Sequence, residues 1–135
     1  MYKRQTCGAS KLEYVVKGFE SKVHLVDGRG RVTAQYRLIA PVERAFLSQT
    51  PSELFNAQLP VCWPNRGVVL SREFKWHKND ELGWFPGSFD GVFATSVDGG
   101  NRMRVVADPD AAMTAGGDLT TTHPLTAAAR ARLGR

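Results

Sequence analysis

The stretch SKVHLVDGRGRVTAQYRLIA constrains the fold more than any other part of the chain. Val23 and Leu25 alternate with polar neighbours on the way in. On the way out Val32, Ala34, Tyr36 and Leu38 alternate with Arg31, Thr33, Gln35 and Arg37. A period of two belongs to a strand with one buried face. Asp27-Gly28-Arg29-Gly30 lies between the two runs, and Asp-Gly between alternating runs is the strongest short-range signal for a β-hairpin. Upstream, KLEYVVK puts Leu12, Tyr14 and Val16 on one face, so residues 11–40 are expected to be antiparallel sheet.

The pattern changes after Ala40. In TPSELFNAQLP, Thr50 is placed to cap a helix, Pro51 suits its first position, Glu53 completes a Thr-x-x-Glu capping box and Pro60 stops it. One short helix is therefore expected over about 51–59, packing Leu54, Phe55 and Leu59 on the sheet. VVLSREFKW and the pair FDGVFATSV and RMRVVA, with Asp98-Gly99-Gly100-Asn101 between the last two, predict a second hairpin region over about 68–107. Past Asp108 the aliphatic periodicity fades into PDAAMTAGGDLTTTH, which has linker composition. The closing PLTAAARARLGR has helix propensity but little apolar surface. The expected fold class is α+β: a mostly antiparallel sheet built from hairpins, one short helix on it, and a flexible C-terminal tail. The expected division is a single domain over 6–108 and a linker with an Ala/Arg-rich tail over 109–135.

The first five residues, Met-Tyr-Lys-Arg-Gln, match the translation from a GTG start of the transposase end sequence GTG-TAT-AAG-AGA-CAG used in sequencing libraries. Residues 1–5 are accordingly expected to be a translated adaptor, with the native start and any signal peptide lost. The net charge is +5, and setting aside Lys3 and Arg4 leaves 5 − 2 = +3. That excess favours an anionic partner only modestly. Cys7 and Cys62 lack the spacing of a zinc site. They are expected to be buried or idle thiols in a cytoplasmic bacterial or host-cell setting, with a Cys7–Cys62 disulfide as the alternative. No apolar run approaches the ~20 residues of a membrane span, so no membrane association is expected. Homo-oligomerisation through edge strands and the tail stays open.

Two constellations carry the functional expectation. Trp63 and Trp84 sit beside prolines or within a residue of one, in segments read as loops, among Arg66, Arg72, Lys75 and Lys78. Aromatic faces that stack bases, ringed by cations that meet phosphates, are what single-stranded nucleic acid or nucleotide binding requires. Arg31, Arg37, Arg102 and Arg104 fall at polar-face positions of the two hairpins, and adjacent hairpins would merge them into a patch with bidentate reach to phosphate. The weaker constellation is HKNDELGWFPGSFDG, read as a long loop over 77–91 in which His77, Asp80 and Glu81 could hold a metal or act as acid and base. Ser88 has no nucleophile-elbow context. His24 reads as a strand histidine and His123 as a linker residue.

The expected function is a small non-catalytic binding protein for an anionic partner: nucleic acid, a nucleotide, or an acidic nucleic-acid-handling protein. Arg31, Arg37, Arg66, Arg72, Arg102, Arg104, Trp63 and Trp84 are the binding candidates, with no cofactor and no metal. A phage or mobile-element accessory protein acting against a host defence complex suits the size and the lack of a catalytic motif. The alternatives are an N-terminally truncated hydrolase or toxin domain using the 77–91 loop, and an oligomeric assembly subunit.

Overall fold

The computed structural model describes residues 5–17, 20–38, 59–63, 66–81, 83–114 and 117–135. Within them the protein is mostly antiparallel sheet with one short helix. Strands β1 (Gln5–Cys7), β2 (Ser10–Lys17), β3 (Glu20–Val26) and β4 (Val32–Leu38) form a four-stranded meander in chain order. The turn between β3 and β4 is held by Asp27. Its Oδ1 accepts from the backbone N–H groups of Arg29 and Arg31 at 2.9 Å each, and its carbonyl accepts from Gly30 N at 3.0 Å. Leu12, Val23, Leu25, Tyr36 and Leu38 are buried on one face of this sheet.

A second meander follows: β5 (Val61–Trp63), β6 (Val68–Asn79), β7 (Gly83–Ser96) and β8 (Met103–Val106). Its centre is buried on both sides. Cys62, Val69 and Val97 pack with the first sheet, while Val61, Trp63, Val68, Leu70, Val92 and Ala94 meet the C-terminal segment. A sheet covered on both faces needs apolar residues at consecutive positions. That is why Val68 to Ser71 and Gly91 to Thr95 are buried without a gap.

The β6–β7 hairpin is long, with register from Val68 opposite Ser96 to Asn79 opposite Gly83. The segment 77–91, expected as a loop, is therefore strand, turn and strand. Pro86, Gly87 and Gly91 made it look broken. Pro86 is tolerated because β8 pairs with β7 only over Val92 to Ala94, so at Pro86 the side of β7 away from β6 makes no ladder with a described strand. Two register shifts then carry β7 past β6. One leaves Asp90 as an extra residue beside Gly91, and the other sets Gly87 and Ser88 against Lys75 alone. Gly91 has φ +143°, and a Cβ there would lie 3.0 Å from the Val106 carbonyl oxygen, so the crossing requires glycine.

The segment after Asp108 packs as a third layer. A ribbon of β9 (Ala112–Met113) and β10 (Leu119–Thr120) leads to helix α1 (Ala127–Leu133). Thr126 caps α1 by accepting from Ala129 N at 3.1 Å, and Gly134 closes it with φ +74°. Ala129 and Leu133 are buried against the second sheet, with Leu125 packed beside them. The Asp108 carboxylate holds the layer in place: Oδ2 accepts from Thr122 N at 2.7 Å, Thr121 Oγ1 at 2.8 Å and Thr122 Oγ1 at 2.9 Å. The expected helix over 51–59 lies outside the described residues except Leu59, which packs with the first-sheet core.

The two cysteines are joined. Cys7 on β1 and Cys62 on β5 form a disulfide with Cα atoms 5.5 Å apart, which replaces the expectation of separate thiols. It links the two sheets across 55 residues of sequence. The edge position of both short strands is what brings them together, and no spacing rule in the sequence could reveal that.

Two outcomes follow from this architecture. Closing a loop of that length removes unfolded-chain entropy worth about 4 kcal/mol. The double variant Cys7→Ser with Cys62→Ser, or the reduced protein, should therefore lose about that much unfolding free energy in urea titration, and an unchanged midpoint would contradict the cross-link's role. Asp108 titrates in the acid range. Hydrogen bonding, led by the Thr122 backbone N–H, holds its carboxyl well below the ordinary 3.8. The unfolded chain binds that proton first, so the stabilisation is present above about pH 3.8 and is lost as pH falls toward the lowered value. Asp108→Asn should flatten this part of the acid-unfolding curve relative to the parent chain.

Candidate binding cleft between the two sheets

The binding candidates end up in very different surroundings. Trp63 is buried, and its Nε1 donates to the Leu133 carbonyl at 2.9 Å. The expectation of an exposed platform is thus corrected: Trp63 seats the end of α1 under Arg135, whose Cζ lies 5.4 Å from the ring centre. Arg31 is not on the strand face but folds back on its own turn, with Nε 3.0 Å from Asp27 Oδ2. Arg66 lies in the turn before β6, its guanidinium against Gly134 at the C-terminal end of α1. Positive charge there suits the helix dipole.

Arg72, Arg102 and Arg104 are engaged structurally. Arg72 donates through Nη2 to Pro109 O at 2.9 Å and through Nη1 to Ala111 O, and its Cζ lies 4.9 Å from the centre of the Phe89 ring. Burial pushes its pKa down, while Asp108 and Asp110 act in the opposite direction. Arg102 pairs with Glu73, and Arg104 with Asp90 at 2.7 Å. The two guanidiniums flank Phe93, at 3.8 and 5.4 Å from its ring centre. Arg102 and Arg104 do adjoin one another, but each already faces a carboxylate, and Arg72 is committed to backbone carbonyls.

Arg37 differs. It is half-buried on β4, and its Cζ sits 4.2 Å from the centre of the Trp84 ring on the distal β6–β7 hairpin. Its Nε is buried and has no hydrogen-bond partner, and among the described residues it has no carboxylate to pair with. Arg37 lines a cleft of about 150 Å³ together with Gln35, Tyr36, Ser71, Arg72, Glu73 and Trp76. The cleft forms where two strand edges meet. β4 ends the first sheet, and β5 pairs with β6 only over Val68 to Leu70, which leaves the β6 edge from Ser71 onward clear of β5.

A polar cluster continues inward. Ser71 Oγ donates to Glu73 Oε2 at 2.7 Å, and Glu73 Oε1 receives Arg102. The Tyr36 hydroxyl and Thr95 Oγ1 lie beside this pair, both buried, adjoining each other and bonded to no other group. Burial pushes the Tyr36 phenol up to about 12, Thr95 and Arg102 pull the other way, and Glu73 reinforces the rise. Sequence reasoning placed Tyr36 in the core and missed this cluster. Its hydroxyl residues fall at inward positions of strands that pattern reading treats as apolar, and nothing in the local pattern singles out Glu73.

The acid/base reading of 77–91 does not assemble. His77 is on β6 opposite Phe85, whereas Asp80 and Glu81 sit exposed in the turn. Among the described residues no group of three His, Cys, Asp or Glu side chains is placed to hold a metal. Ser88 is exposed on β7, His24 pairs across strands with Glu13 and Gln35, and His123 is exposed in a bend. No helix among the described residues is long and apolar enough to cross a membrane. The chain matches no protein-family model, no curated protein and no solved structure.

The Tyr36 environment predicts an alkaline weakness. Burial disfavours the phenolate, so the folded chain retains the proton after the unfolded chain has lost it near 10. The associated stability is complete below about pH 10 and declines as pH rises toward about 12, by about 2 to 3 kcal/mol. Tyr36→Phe should remove that decline. Equal alkaline unfolding of the two chains would show that the phenol is not buried as described.

Proposed function

We propose that this chain is a small non-catalytic binding protein for an anionic partner, of the nucleic acid or nucleotide class, with Arg37 as its anchoring cation. The observation that carries the reading is the unsatisfied state of Arg37. A buried donor on a charged group that makes no hydrogen bond costs several kcal/mol at the upper end and calls for an explanation. A ligand acceptor supplies one. Stacking on Trp84 fixes the guanidinium plane and leaves its N–H edges to face an acceptor, the arrangement that suits phosphate oxygens.

Of the expected set, Arg37 and Trp84 support the reading at one place, with Arg102 adjoining through Glu73; Arg72 lines the cleft, but its guanidinium is committed to the Pro109 and Ala111 carbonyls. Arg31 and Trp63 do not contribute, because one is spent on a turn and the other on the core. Trp76, half-buried in the cleft wall, takes the role that Trp63 was expected to fill.

The experiment is binding of labelled single- and double-stranded DNA and RNA at low and near-physiological salt, for the parent chain, Arg37→Gln and Arg31→Ala. Affinity should fall with added salt as phosphate contacts release counterions. Arg37→Gln should weaken it about tenfold or more, the loss typical of a charge-assisted hydrogen bond, while Arg31→Ala stays close to the parent. Absence of binding at low salt, or an Arg37→Gln chain that binds like the parent, would overturn the assignment.

A further inference from the structure

Building on the reading of Arg37 as an anion anchor, we infer that the cleft between β4 and β6 receives a terminal phosphate, the phosphomonoester at the end of a nucleic acid strand, and not an internal phosphodiester. Size is the first ground. At about 150 Å³ the cleft has half or less of the roughly 300 Å³ at which pockets for whole small molecules begin. At about 30 Å³ per water it holds the equivalent of about five waters, enough for a phosphoryl group but not for a nucleoside. An internal diester would have to bring a ribose in on both sides, whereas a terminal group enters alone.

The donor set is the second ground. The residues lining the cleft carry two buried polar groups turned to no acceptor outside their own pair: Arg37 Nε, which has no partner, and the Tyr36 hydroxyl, whose one neighbour is Thr95; Tyr36 is more than nine-tenths buried at 8% exposure. Thr95 Oγ1 adjoins that hydroxyl, and a hydrogen bond between the two leaves one hydroxyl proton for an incoming acceptor. A phosphomonoester offers three terminal oxygens and about −1.5 to −2 charge at neutral pH, where a diester offers two oxygens and one charge. The only carboxylate in the cleft wall, Glu73, is already held by Ser71 and Arg102, so its repulsion of an incoming anion is largely cancelled.

The third ground is the surface next to the cleft. Trp76 lines it, and Trp76 opposite Pro86 lies two positions along the same hairpin from Lys78 opposite Trp84. With Arg37 occupying Trp84, the Trp76 indole is the aromatic face left for the terminal base.

The test compares oligonucleotides of one sequence carrying a 5′-phosphate, a 3′-phosphate or hydroxyls at both ends, with inorganic phosphate as competitor. At least one phosphorylated end should bind about tenfold or more tightly than the hydroxyl form. That preference should grow as pH rises through about 6, where the monoester gains its second charge. Arg37→Lys keeps the charge but loses the fork, so it should abolish most of the preference, and Tyr36→Phe and Trp76→Ala should each reduce it. Phosphorylated and hydroxyl oligonucleotides that bind equally, both through Arg37, would overturn this inference and leave the anion-anchor reading standing. No oligonucleotide binding at all, or stronger capture of an acidic peptide than of any oligonucleotide, would overturn both.

Discussion

Everything in this structure depends on the second sheet being buried on both faces. Val69 and Cys62 face the first sheet, while Leu70, Val92 and Ala94 face the third layer, so the backbone of β6 and β7 is screened from water across its centre. Each face needs its own cover. One cover comes from the N-terminal meander, attached through Cys7–Cys62, and the other from the ribbon and α1, attached through Asp108 and Arg72. The two attachments differ physically. The disulfide acts mainly by limiting the unfolded chain, whereas Asp108 and Arg72 each satisfy several donors or acceptors that the turn after β8 would otherwise bury unpaired.

The interface between the first and second sheets is not uniformly apolar, and that asymmetry creates the cleft. Near Cys62 and Val69 it is aliphatic and closed. Toward the β4 edge the inward positions are Ser71 and Thr95, with Tyr36 reaching toward them. Small hydroxyl side chains do not fill the space that a Leu or Phe would fill, and among the described residues no strand pairs with the free edge of β4 or with the β6 edge beyond Leu70 to seal the gap. The register shifts that follow Glu73 then turn the distal hairpin so that Trp84 meets Arg37.

The sequence revealed those parts whose cause is local. The β3–β4 turn follows from Asp27 and two glycines, and alternation marked β2, β3 and β4. What it hid has non-local causes. The 77–91 segment was read as a loop because Pro86 and the glycines are breakers in a central strand, yet this stretch of β7 is flanked on one side only. Likewise, 109–135 reads as a linker and tail because aliphatic periodicity gives way to Gly, Thr and Asp and the closing Ala/Arg stretch offers little apolar surface. The signals for α1 are present in Leu125, Ala129 and Leu133 at spacings of four, with Thr126 placed to cap and Gly134 to close, but a seven-residue helix is stable only against a surface that the sequence does not display. For the site, counting arginines could not distinguish those committed to Asp27, Glu73 and Asp90, to backbone carbonyls or to a helix end from Arg37, whose Nε has no partner.

That distinction changes how positive charge in a small protein should be weighed. Arg102 and Arg104 sit half-exposed beside an aromatic ring and look like phosphate ligands by composition, but an incoming phosphate would have to displace Glu73 or Asp90, and part of any gain is spent on separating an existing pair. Arg37 has no such competitor among the described residues. Its positioning by Trp84 has already met the entropy of ordering a long side chain, so an acceptor that arrives there loses less on binding than it would at a mobile surface arginine. A net charge of +5 is therefore a weak guide to affinity here, and the Arg37 guanidinium, stacked on Trp84 with an unpartnered Nε, is a stronger one.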